Sequence, residues 1–257
     1  MSQWNPDQYL QFRNERTRPS RDLVSRIELE NPRSILDIGC GPGNSTEILG
    51  RRWPAAAVTG LDSSPEMIRK ARQDYPEATW EVGDLTSIAP ERRWDLVCSS
   101  ATLQWVPDHQ IVIPRLFGLV NPAGALAIQV PANNESPLHR AFQEVAARPR
   151  WRERTFQASR LLNYKPAPYY YDLLAPLASN LDLWETTYNH VIGSHAALID
   201  WYRSTAMRPC LSQLSSDAER GEFEQEVLEA CRAGFEMRPD GRVLYPFKRL
   251  FFIAYKP

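Results

Sequence analysis

From residue 35 to residue 130 the chain repeats one pattern: a short, nearly unbroken apolar run, a break rich in glycine or acid, then apolar positions at helical spacing. Residues 35–38, 57–62, 79–83, 94–100 and 125–130 have strand length, and most lack the alternation of a half-exposed strand. Strands alternating with helical patterns predict βαβ units and a parallel, doubly wound sheet. Ser63 or Ser64 caps a helix with Pro65 in its first turn and Met67, Ile68 and Ala71 on its inner face. A second helix over 111–120 turns Leu116, Phe117 and Val120 inward, and Asn121-Pro122-Ala123-Gly124 then leads into the fifth strand.

Beyond residue 131 the rhythm breaks. Residues 132–180 hold a helical stretch near 139–147, an arginine-rich run over 148–154, and the tyrosines Tyr164, Tyr169, Tyr170 and Tyr171. Residues 181–191 alternate as a strand, helical patterns follow near 194–206 and 217–235, and 248–255 form a last strand. Ser216 and Glu219 have the spacing of a capping box. The expected organisation is one domain: a lid segment over 1–30, a cofactor-binding core over 31–131, and substrate-covering elements over 132–180 and 192–241.

Chemistry concentrates where the first strand ends, at Asp37-Ile38-Gly39-Cys40-Gly41-Pro42-Gly43-Asn44. Glycines here predict a tight turn whose backbone N–H groups approach a ligand, with a helix over 45–49 behind it. Dinucleotide enzymes use G-x-G-x-x-G, but the third glycine comes one residue early and Asn44 takes its place. Asp37 beside the turn repels pyrophosphate and attracts an ammonium or sulfonium group, which favours S-adenosylmethionine over a nicotinamide dinucleotide. Asp62 ends the second strand about 20 residues past the turn, where a carboxylate accepts both ribose hydroxyls. Asp84 and Leu85, after the third strand, offer an acceptor for an exocyclic amine and an apolar contact for a base.

In this order the motifs resemble the class I S-adenosylmethionine-dependent methyltransferases over residues 30–131. The resemblance implies a Rossmann-like α/β fold with seven strands, mostly parallel, an antiparallel last strand and helical cover insertions. It also implies a donor site of Tyr9, Asp37, Gly39, Cys40, Gly41, Asn44, Asp62, Ser63, Met67, Asp84, Leu85 and Ser99. The flanks Trp4-Asn5-Pro6, Leu61-Asp62-Ser63-Ser64-Pro65, Leu103-Gln104-Trp105-Val106-Pro107-Asp108-His109 and Arg208-Pro209 are similar to a branch of that family that methylates a small tricarboxylate.

Such an acceptor is already ionised at neutral pH, so no catalytic residue and no general base are expected. It does need donors for its remaining carboxylates, because an unpaired buried charge costs several kcal/mol. Arg13, Gln104, Trp105, His109, Tyr188, Arg208 and Arg249 are the candidates. Arginines 148–154 read as a solvated face, and Cys40 as a small side chain fitted against the strand.

Composition narrows the rest. A chain of 257 residues with 43% hydrophobic content buries one sizeable core, and a net charge of −1 gives no field for nucleic acid. No apolar stretch approaches ~20 residues and the start is polar, so no membrane contact and a cytoplasmic location are expected. Cys40, Cys98, Cys210 and Cys231 are too scattered for a metal site. A nicotinamide oxidoreductase, a non-catalytic S-adenosylmethionine-binding module and a methylase of carrier-bound malonyl groups stand as alternatives.

Overall fold

The computed structural model describes residues 13–89 and 91–257. Seven strands form one mixed sheet: β1 (Ser34–Ile38), β2 (Ala57–Asp62), β3 (Thr79–Val82), β4 (Trp94–Ser100), β5 (Val120–Pro131), β6 (Asn180–Ile192) and β7 (Val243–Tyr255). They lie in the order β3-β2-β1-β4-β5-β7-β6. Neighbours from β3 to β5 are parallel, and β7 runs antiparallel to β5. Order and directions agree with the expected class I methyltransferase architecture.

Two compact units divide the chain, one of residues 13–131, 165–186 and 249–257, the other of Ala132–Tyr164 and Thr187–Lys248. The first holds α1 (Arg13–Arg26), α2 (Asn44–Arg52), α3 (Pro65–Asp74), α4 (His109–Gly118) and, after the excursion into the second unit, a helix over Ala167–Leu174. That last helix was expected among the covering elements. It belongs to the first unit because Tyr170 buries its ring there and its hydroxyl meets the ring of His109 at the head of α4.

Local chemistry explains the central elements. Ile35, Leu36 and Ile38 are buried, as a strand flanked by parallel neighbours requires. Ser64 caps α3, its Oγ accepting from the Met67 N–H, with Pro65 as first helical residue and Met67, Ile68 and Ala71 buried against the sheet. The predicted turn over 121–124 survives as an irregularity inside β5: pairing steps from Trp94↔Val120 to Leu96↔Ala125, which leaves residues 121–124 out of the ladder. Gly124 is needed there because a Cβ would stand 2.5 Å from the Asp95 carbonyl oxygen.

Register places the chemistry. Ile38 pairs with Leu61 and with Ser99, while Ser100 pairs with Gln129. The carboxyl ends of β1, β2, β4 and β5 therefore align, where open parallel sheets bind ligands.

In the second unit come α5 (Pro137–Ala146), α6 (Arg152–Thr155), and, after Ala167–Leu174 (α7), α8 (His195–Arg203), α9 (Arg208–Leu211) and α10 (Asp217–Arg232). Phe223 of α10 meets Phe142 and Trp151 edge to face. The arginine run is largely solvent-facing, as expected, but it is also paired: Arg148 with Glu226, Arg150 with Glu222 and Arg154 with Glu219. Ser216 caps α10 by accepting from the Glu219 N–H, while the Glu219 carboxylate reaches back to the Ser215 N–H rather than that of Ser216.

The Gly124→Ala variant should lose about 1–3 kcal/mol, because neither the Asp95 nor the Asn121 carbonyl can retreat without disturbing β4–β5 pairing. A urea unfolding midpoint unchanged from wild type would count against this packing.

Candidate active site

The turn after β1 is built on three left-handed glycines, Gly39 (φ +68°), Gly41 (φ +55°) and Gly43 (φ +97°). Gly39 and Gly43 also sit against walls. A Cβ at Gly39 would meet the Thr102 hydroxyl at 2.0 Å, and one at Gly43 would meet Tyr75 at 2.6 Å and Trp80 at 2.9 Å. The early third glycine thus follows from the Trp80 indole beneath the turn, a ring that also presses on Gly60. Cys40 packs into the same cluster with Ile68, Ala71 and Trp80. Burial pushes its thiol well above the usual range, which makes it inert.

The backbone amides correct one expectation. Gly39 and Cys40 both donate to the Leu61 carbonyl, Gly41 donates to Asp62 Oδ2 at 2.9 Å, and Gly43 donates to the Cys40 carbonyl. These N–H groups hold the turn closed against β2, so they do not form a cradle for phosphate. What Gly41 offers is space: among the described residues, nothing lies within 4 Å of where its Cβ would be.

Asp37 is the centre of the site. It is fully buried, and its Oδ2 accepts from Ser45 Oγ at 2.6 Å and Thr46 Oγ1 at 2.7 Å, both in the first turn of α2. Among the described residues, Oδ1 has no hydrogen-bond partner. Desolvation raises the carboxyl to about 6, the two hydroxyls pull it down, and the Asp62 charge adds to the rise. Sequence reading missed Ser45 and Thr46, although a serine and a threonine directly after the glycine turn were a visible signal.

Asp62 accepts one backbone N–H on each oxygen, Gly41 on Oδ2 and Ser64 at 2.8 Å on Oδ1. Burial, its largest influence, raises its pKa above the ordinary carboxylate value. Each oxygen keeps a lone pair for a ribose hydroxyl. Asp84 follows β3 and caps the 3-10 turn Leu85–Ser87 by accepting from the Thr86 N–H, with Leu85 buried beside it. Asn44 opens α2, Ser63 is exposed, and Met67 is buried in α3. Ser99 serves the fold: its hydroxyl donates to the Ile38 carbonyl at 2.8 Å, fully buried between β4 and β1.

The acceptor candidates divide. Gln104 is buried in the 3-10 turn Leu103–Trp105, its Nε2 donating to the Ala101 carbonyl and its Oε1 without a partner among the described residues; Trp105 beside it is half-buried. His109 is spoken for. Its Nε2 faces the Leu103 carbonyl, an acceptor only, so Nε2 carries the proton and Nδ1 accepts from the Tyr170 hydroxyl, both at 2.8 Å. Fully buried and held at both nitrogens, His109 braces the Leu103–Trp105 turn and presents no open nitrogen to a carboxylate. Arg249 is buried at the head of the β7 segment in this unit. Tyr188, buried on β6, and Arg208, in α9, belong to the second unit. Tyr9 lies outside the described residues, and Arg13 is described only by its place at the start of α1.

The donor fits these residues. Buried Asp37, with one oxygen lacking a partner, suits an ammonium or sulfonium charge; Asp62 suits a ribose; the tied amides and three carboxylates disfavour a pyrophosphate. No cluster of metal-ligating side chains occurs among the described residues, and no helix there is long and apolar enough to cross a membrane.

Known proteins agree. A family model for a methyltransferase domain matches residues 10–177. Trans-aconitate 2-methyltransferase of an Azoarcus species is 43% identical over 99% of both chains, and that of Escherichia coli strain 55989 is 40% identical over 99% of this chain and 98% of its own. The chain belongs to the trans-aconitate 2-methyltransferase family. Solved structures carry the fold further: Haemonchus contortus phosphoethanolamine N-methyltransferase 2, with S-adenosylhomocysteine bound, has a TM-score of 0.59 at 15% identity over 93% of this chain and 52% of that one. YcgJ of Bacillus subtilis also scores 0.59, at 13% identity over 93% and 98%. The family is an enzyme family, and its methyl donor is S-adenosylmethionine.

Asp37 sets a pH signature. Its pKa is raised on folding, so the protonated form favours the folded state and stability at this residue falls as pH climbs through about 6. Asp37→Asn should melt higher than wild type at pH 8, the gap shrinking as pH drops to 5. The same variant should bind S-adenosylmethionine at least tenfold more weakly at pH 8. Equal donor affinity, or a melting gap independent of pH, would contradict a buried ionised Asp37.

Proposed function

We propose that the enzyme transfers a methyl group from S-adenosylmethionine to one carboxylate of trans-aconitate, forming a monomethyl ester and S-adenosylhomocysteine. The observation that carries this reading is likeness along the whole chain: 43% identity over 99% of both partners, which takes in the segments beyond the donor site. The donor supplies an electrophilic methyl carbon on a sulfonium; a carboxylate oxygen forms the new C–O bond while the C–S pair stays with sulfur. Charge balances without proton transfer, as the sulfonium becomes a thioether and the carboxylate an ester.

Asp37 and Asp62 orient the donor from its two ends, through charge at one and ribose hydroxyls at the other. The turn over Leu103–Trp105, braced by His109 and Tyr170, presents Gln104 and Trp105 beside the reacting groups. Arg249 supplies a cationic partner for a carboxylate that is not methylated. The chain acts as one functional enzyme on a small free acid, without nucleic acid or membrane. Its four cysteines are buried and unpaired with one another, which suits the cytoplasm.

The test is a panel of acceptors with methyl-labelled donor. Trans-aconitate should acquire base-labile label faster than cis-aconitate, citrate, isocitrate or a malonylated carrier protein. Label appearing on another member of the panel and not on trans-aconitate would refute the substrate. Asp62→Ala should weaken donor binding at least tenfold in a calorimetric titration; unchanged affinity would refute its ribose role.

A further inference from the structure

Gln129 sits near the end of the central strand β5 with its amide nitrogen unused. The residue is fully buried, and among the described residues Nε2 has no hydrogen-bond partner. Its orientation is dictated from the other side: Ser20 Oγ of α1 donates to Ser100 Oγ at 3.0 Å, and Ser100 Oγ donates to Gln129 Oε1 at 3.1 Å. With the oxygen held as acceptor, the NH2 group is the half of the amide left over. A buried donor without an acceptor costs roughly 1–3 kcal/mol, and an apolar residue of similar size would avoid the cost.

Its position relates this donor to the site. Gln129 pairs with Ser100, at the aligned carboxyl ends of β4 and β5 beside the glycine turn. On its other flank Gln129 pairs with Phe251, and Pro131 pairs with Arg249. Side chains two residues apart on a strand share a face, so Gln129 and Arg249 are diagonal neighbours on one face of the sheet. Arg249 is only 5% exposed. A neutral NH2 donor and a guanidinium, both buried on one face at the ligand-binding end, make a pair suited to an anion with several acceptor oxygens.

We propose that Gln129 Nε2, together with Arg249, holds a substrate carboxylate that is not methylated, making Gln129 a specificity-determining residue for polycarboxylate acceptors. This rests on the reading that the acceptor is a small carboxylic acid, and it adds which donor on the sheet selects it. Ser100 and Ser20 act as positioning residues, because they set which side of the amide faces the ligand.

The experiment is calorimetric titration of the full-length enzyme, loaded with S-adenosylhomocysteine, against trans-aconitate, citrate and two dicarboxylates, with parallel turnover assays. Gln129→Glu keeps the size of the side chain and an acceptor for Ser100 but replaces the donor with an acceptor. Gln129→Met removes both polar atoms. Either variant should weaken tricarboxylate binding and raise KM by ten- to a hundredfold, with S-adenosylhomocysteine affinity within twofold of wild type. Dicarboxylates that lack the held group should lose less than threefold. Wild-type binding of another carboxylate that depends on Gln129, without methylation of trans-aconitate, would refute the proposed substrate and leave this assignment standing. Undiminished tricarboxylate binding by Gln129→Glu, equal losses for di- and tricarboxylates, or no carboxylate binding by wild type would overturn it.

Discussion

The site depends on one buried carboxylate. Asp37 lies buried near the end of β1, supported by the Ser45 and Thr46 hydroxyls on one oxygen and by no described residue on the other. Burial costs it an upward pKa shift to about 6, near enough to neutrality that it is mostly ionised in the cell and ready for a cation. The surrounding turn follows from this. Its amides are consumed by Leu61, Asp62 and Cys40, so the fold commits them to shape and leaves electrostatics to the acids. A dinucleotide site with the same strand–turn–helix plan uses amides in the opposite way, as donors to phosphate.

A second constraint is steric. The Trp80 indole lies under Gly43 and Gly60, and the Thr102 side chain lies against Gly39. These contacts explain why the turn carries glycines at positions that differ from the dinucleotide spacing. They also join β1, β2, β3 and the segment after β4 into one rigid frame, to which Asp37, Asp62 and Gln104 are all attached. Precision of this kind is what methyl transfer by displacement demands.

Much of this was legible in the chain itself. The sheet, the capped helix at Ser64 and Pro65, and the placing of Asp37 and Asp62 near the carboxyl ends of adjacent strands follow from apolar runs broken by glycine and acid, a signal local in sequence. What pattern reading could not provide depends on long-range partners. His109 looked open to substrate until Tyr170, 61 residues away, took its Nδ1. Ser99 looked like a ligand contact, but its hydroxyl bridges to β1. Gln129 drew no notice because a glutamine inside an apolar run carries no motif; only register and the Ser20–Ser100 chain single it out. Residues 165–180 were assigned to the cover for the same reason, since nothing local says that Tyr170 packs on the first unit.

The claim that Asp37 is a buried acid waiting for a cation is tested most directly by proton linkage. Binding of S-adenosylmethionine would be measured by calorimetry at pH 6 and pH 8 in buffers of differing ionisation enthalpy. Net release of about half a proton is expected at pH 6, as the cation drives Asp37 to its ionised form, and release near zero at pH 8 from this residue. Binding heats at pH 6 that do not change with buffer, or proton release there that persists in Asp37→Asn, would contradict it.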